Sequence, residues 1–181
     1  MRSFTLLAAA LSVLIMVSFT ACEKKAADKA GAPAATEASQ GGINWMDYTA
    51  GMKKSQETGK PVMVDFYTSW CHFCKQLDET TYKDAGVVDV LNKDFVAIKI
   101  NAEGASKLTD EGKEITEADL AKKMQVTGYP TIWFFDSKGM KIAPLAGYSP
   151  ASDFKPILTY ISSGSYAKGV KFQDYVKTLQ K

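Results

Sequence analysis

Apolar positions divide the chain into three parts. Residues 4–17 form an almost unbroken apolar run, residues 23–42 carry no large apolar side chain, and from Ile43 onward apolar and polar positions alternate with the periods of helices and strands. In this third part, the spacing of Trp45, Tyr48 and Met52 predicts a helix over 45–58, ended by Gly59-Lys60-Pro61. PVMVDFY, residues 61–67, reads as a short buried strand. Beyond Cys74, KQLDETTYKDAGVVDVL has the apolar spacing of one long helix reaching about Asn92. FVAIKIN (95–101) is a second strand, and the polar stretch 103–114, with two glycines, reads as a long loop. A helix over 115–125 is capped by Thr116 with Asp119 three residues on. TIWFFD (131–136) is a third strand, and Ser137-Lys138-Gly139 turns it into a partner over 141–146. Residues 150–161 form a helix with an apolar face of Phe154, Ile157, Leu158 and Ile161, and 172–179 form a last short one. This alternation predicts an α/β fold, a mixed sheet with helices on both faces.

The first two parts bear on location. Arg2 and the apolar run suit a signal segment over 1–21, too short for a comfortable membrane span. Phe19-Thr20-Ala21-Cys22 resembles a bacterial lipoprotein lipobox, which implies that Cys22 becomes a lipidated N-terminus; ordinary secretory cleavage nearby is the alternative. Residues 22–42 then form a flexible tether, since so polar a segment cannot offset the entropy of ordering. Residues 43–181 make one domain. The four basic and three acidic residues before Ile43 leave 18 and 17 of the totals of 22 and 20. A domain charge near +1 without a basic block gives no sign of a nucleic-acid surface.

Trp70-Cys71-His72-Phe73-Cys74 stands where an apolar strand ends and a helix begins. Two cysteines so spaced can close a small disulfide ring or hold one edge of a metal site. At the first turn of a helix, unpaired N–H groups and the positive end of the dipole favour a thiolate. That makes Cys71 the nucleophile of thiol–disulfide exchange and Cys74 the resolving thiol. Structural zinc takes four Cys or His ligands, but the chain has three cysteines and one histidine, and His72 lies awkwardly between the pair. A purely structural disulfide would remove little chain entropy from so short a ring. Redox chemistry is the preferred reading.

With Gly128-Tyr129-Pro130 ahead of a strand, this order resembles the thioredoxin superfamily over residues 45–163. GKPVMVDFYTSWCHFCK is most similar to the C-terminal thioredoxin-like domain of the reductant transporter DsbD and to small periplasmic thioredoxins. The resemblance implies a thioredoxin fold and gives several residues roles. Tyr129-Pro130 falls at the family's cis-proline, whose loop faces the cysteines and offers backbone hydrogen bonds to an extended substrate. Asp65, on an otherwise apolar strand, would have a raised pKa if buried and would take the Cys74 proton. Lys99 falls where the family often has a lysine near that aspartate. Trp70 would shield the disulfide and join the docking surface. The plainer readings are a strand-start proline, an aspartate facing water, a solvated lysine and a packing tryptophan. His72 and Phe73 replace the Gly-Pro of ordinary thioredoxins. A protonated His72 would make the disulfide more oxidising, while Phe73 adds apolar surface for docking.

The expected function is an extracytoplasmic thiol–disulfide oxidoreductase of the bacterial envelope, reducing envelope proteins and recharged by a DsbD-type membrane donor. It would be monomeric, held at the membrane by lipid on Cys22, with no cofactor or metal beyond the redox-active Cys71–Cys74 pair. The alternatives are an oxidase or isomerase, or a Cu(I)-handling module using both thiolates. The C-terminal segment 160–175 extends past the usual thioredoxin end and is expected to pack on the sheet.

Overall fold

The computed structural model describes residues 42–180; the segment expected to be a signal (1–21), Cys22 and the expected tether as far as residue 41 lie outside the described residues. A two-residue strand β1 (Trp45–Met46) precedes helix α1 (Tyr48–Thr58). The helix does not begin at Trp45, because Asp47 is extended and accepts the Ala50 N–H at 2.8 Å, fixing the N-cap there. Gly59, left-handed at φ 72°, closes α1 ahead of β2 (Val62–Tyr67).

The single long helix expected after Cys74 is three pieces: α2 (His72–Glu79), a 3₁₀ turn (Thr81–Lys83) and α3 (Ala85–Asp94). Two adjacent β-branched residues mark the break. The Thr80 hydroxyl donates back to the Gln76 carbonyl at 2.7 Å, and that of Thr81 donates away to the Ser149 carbonyl at 2.7 Å. Asp84 then accepts the Val87 N–H at 3.0 Å and starts a new helix.

After β3 (Val96–Asn101), the stretch expected to be a loop contains a hairpin of β4 (Lys107–Asp110) and β5 (Lys113–Thr116). Glu111 (φ 49°) and Gly112 (φ 77°) give the two positive φ values that a tight two-residue turn requires. Ile115 belongs to β5, so α4 (Glu117–Lys123) starts at Glu117, behind a reciprocal capping box of Thr116 and Asp119. Then come β6 (Thr131–Phe135), β7 (Lys141–Ala146), α5 (Ala151–Ser162), a 3₁₀ turn (Tyr166–Lys168) and α6 (Phe172–Leu179).

Five strands form one sheet in the order β1-β3-β2-β6-β7; β1, β3 and β2 run parallel, and β6 and β7 antiparallel to their neighbours. Alternate residues of the central strands face opposite layers. Val62, Val64 and Phe66 join Ile98 and Ile100 under Tyr48 of α1 and Leu120 of α4. Met63 and Ala97 join Leu77, Leu91, Phe154 and Leu158 from α2, α3 and α5. The β4–β5 hairpin is tied to the first layer through Asp110, which accepts from the Tyr48 hydroxyl (2.7 Å) and the Lys123 ammonium (2.6 Å). Both sheet edges are poor templates: β1 has two residues, and β7 carries Pro144 opposite Trp133.

The C-terminal segment is divided: Tyr166 packs against the core layer that lies on the sheet, while α6 packs on α5. Tyr160 of α5 stands between Phe172 (5.4 Å) and Tyr175 (5.3 Å) of α6, and its hydroxyl donates to the Val170 carbonyl at 2.6 Å. Among the described residues, no helix is long and apolar enough to cross a membrane.

Candidate active site

Cys71 is the N-cap of α2, one position ahead of the first turn. Its sulfur accepts the Cys74 N–H at 3.0 Å, taking one of the donors that a helix N-terminus leaves unpaired. The Cys71 carbonyl accepts the Lys75 N–H at 3.2 Å, so the helix grows directly out of the cysteine. Cys71 and Cys74 are joined as a disulfide, and both are almost covered, at 4% and 3% exposure. The surface around them is the reverse. Trp70 and Phe73 are exposed by 64% and 54%, and His72, also exposed, meets the Phe73 ring edge-on.

The loop ahead of β6 reaches the same end of the sheet, because Phe66 at the end of β2 pairs with Thr131. Tyr129-Pro130 is a cis peptide, with Tyr129 half-buried and Pro130 buried. The Tyr129 ring meets Trp70 edge-to-face at 5.7 Å, which joins the loop to the cysteine turn. On its other side, Trp70 donates its indole N–H to Glu103 at 3.0 Å. Sequence reasoning did not reach Glu103, since nothing local pairs a loop carboxylate with a tryptophan 33 residues away.

Asp65 is 1% exposed at the centre of β2, the strand that leads into the cysteine turn, in register with Lys99 on β3 and Ile132 on β6. Burial pushes its carboxyl up to about 7; Lys99 opposes this, Asp78 adds to it, and a small lowering comes from Tyr82. Lys99 forms its salt bridge with Asp78, and its ammonium lies 5.1 Å from the Tyr67 ring centre, 5.4 Å from that of Trp45 and 5.8 Å from that of Tyr82. It is a fixed, half-buried lysine whose charge reaches Asp65. Asp78 and Tyr82 were not singled out from the sequence. Asp78 had a usable signal: it stands four residues after Cys74, on the same face of α2.

A mixed sheet with helices on both faces, and a CxxC pair opening the helix after its central strand, defines the thioredoxin class. The family described as thioredoxin-like domain matches residues 48–162, and the chain belongs to it, among thioredoxin-like thiol–disulfide oxidoreductases with a CxxC pair. Over 102 residues it is 36% identical to the thiol:disulfide interchange protein DsbD of Salmonella typhi, covering 55% of this chain and 16% of that protein. The chain therefore corresponds to only a small part of such relatives. Its structure resembles a thioredoxin from Thermus thermophilus (TM-score 0.58, 27% identity, 71% of this chain and 93% of that one). It also resembles a thioredoxin-fold protein from Helicobacter pylori (TM-score 0.56, 25% identity, 67% of this chain and 81% of that one).

Proposed function

We propose that this chain reduces disulfides of proteins on the extracytoplasmic side of a bacterial membrane. The observation that carries the reading is Cys71 at the N-cap of α2, its sulfur held by the Cys74 N–H beside the exposed Trp70 and Phe73. Once the disulfide is opened, that N–H and the helix dipole favour the Cys71 thiolate. The thiolate attacks one sulfur of a substrate disulfide; a Cys71–substrate bond forms and the other substrate sulfur leaves. Cys74 gives its proton to Asp65 and attacks the Cys71 sulfur. The Cys71–Cys74 bond re-forms and the second substrate sulfur departs reduced. Trp70, Phe73, Tyr129 and Pro130 form the docking surface. The cysteine pair is the only redox group the cycle uses.

Two electrons leave the protein in each turnover, so a donor must restore them. The likeness to DsbD supports a membrane donor of that type. Lipid on Cys22, with residues 1–21 removed and 22–42 as tether, would hold the domain beside it. A disulfide oxidase or isomerase is the second reading, favoured by His72 as the first residue of α2, directly after Cys71.

The reduction potential against a glutathione or dithiothreitol buffer separates the two. A value near the thioredoxin end of the scale, about −270 mV, supports the reductase, and one near about −120 mV overturns it. Cys74→Ser should accumulate mixed disulfides with substrate proteins, whereas Cys71→Ser should form none.

A further inference from the structure

Among the described residues, Asp65 Oδ1 and the Tyr82 hydroxyl are both buried without a hydrogen-bond partner, and they act on one another. Leaving such a group unpaired in the interior is unfavourable, because it gives up its hydrogen bonds to water without replacing them. Packing does not account for the Tyr82 oxygen. The ring, 2% exposed, meets Trp45 at 5.2 Å and Phe154 at 6.1 Å edge-to-face, contacts that phenylalanine would make equally well.

The charged and titratable groups around Asp65 come from three elements: Lys99 from β3, Asp78 from α2 and Tyr82 from the following 3₁₀ turn. Ile132 of β6 and Phe154 of α5, in the same layer, are apolar. Lys99 is already committed to Asp78 and to the three aromatic rings. Tyr82 is therefore the neighbour with a hydroxyl to offer.

We infer that Tyr82 is a positioning residue for the proton Asp65 handles: its phenol donates to the ionised carboxylate, and that bond sets how readily Asp65 accepts the proton of Cys74. This role rests on Asp65 acting as the base of the proposed exchange. The S–H bond of Cys74 breaks as an O–H bond forms on Asp65, and Tyr82 keeps its own proton throughout. Burial and the negative charges of Asp65 and Asp78 hold that phenolic proton well beyond the usual range.

The experiment follows the Asp65 carboxyl carbon by NMR across pH in the reduced protein, for wild type and Tyr82→Phe, with Asp65→Asn to assign the resonance. In parallel, single-turnover kinetics follow the release of a small thiol from its mixed disulfide with Cys71 across the same pH range. Removing a donor to the ionised form raises a pKa. The Asp65 midpoint should therefore climb by roughly 0.5–1 pH unit in Tyr82→Phe, and the pH profile of release should move the same way. An unmoved midpoint overturns the inference, and so does a moved midpoint with an unmoved release profile. Wild-type protein that performs no exchange at any pH would sink the proposed function instead, and the NMR midpoint would still decide whether Tyr82 bonds Asp65.

Discussion

Asp65 is held at the centre of the sheet in a form that favours its proton, and this has a consequence for stability. Its folded-state value of about 7 lies above the ordinary 3.8. A carboxyl raised by folding favours the folded state below its unfolded pKa, and that contribution is lost as pH rises through the folded value. The difference corresponds to on the order of 4 kcal/mol, an upper bound because Asn must also be accommodated. Asp65→Asn should therefore be more stable than wild type at pH 8, with the gain disappearing near pH 4. Urea unfolding at the two pH values checks this; an equal gain at both would show that ionisation is not the cause. At this scale the sequence was informative where a residue broke a pattern. Asp65 stood out as a carboxylate in the middle of an apolar strand. Tyr82 and Glu103 fit their surroundings as an ordinary aromatic and an ordinary loop acid, so their partners emerge only once the chain is folded.

Among the elements, the β4–β5 hairpin is the addition with the most specific attachment. Its Asp110 is nearly buried, held by Tyr48 from α1 and Lys123 from α4. Tyr48→Phe removes a hydrogen bond to a charged group and should cost about 2 kcal/mol in denaturant unfolding. A loss below a few tenths would mean that Lys123 alone satisfies the carboxylate. The hairpin escaped the sequence reading because Leu108 is the one buried apolar residue of β4. A strand that buries one apolar and one acidic side chain leaves no apolar alternation to detect. The break at Thr80 was hidden for the opposite reason. Leu77, Tyr82, Val87 and Leu91 all enter the same core, so the apolar pattern runs on while the backbone does not. β2, β3, β6, β7, α1 and α5 were legible from periodicity and from Gly59, whereas the two residues of β1 were read as the start of the α1 helix.

For the whole described domain, the C-terminal helix is an attachment to α5, with no fully buried residue of its own. Removing residues 169–181 leaves both main core layers intact and uncovers one face of Tyr160. The shortened protein should fold, retain the Cys71–Cys74 disulfide, and lose about 1–3 kcal/mol, the worth of two aromatic pairs. Collapse of the fold on this deletion would show the segment to be part of the core. At the far edge of the sheet, Pro144 has a different consequence. A second chain zipping onto β7 would find no amide hydrogen at that rung, and at the opposite edge β1 ends after two rungs. Crowded copies can meet through side chains, but neither rim gives them a ladder along which to grow into a filament.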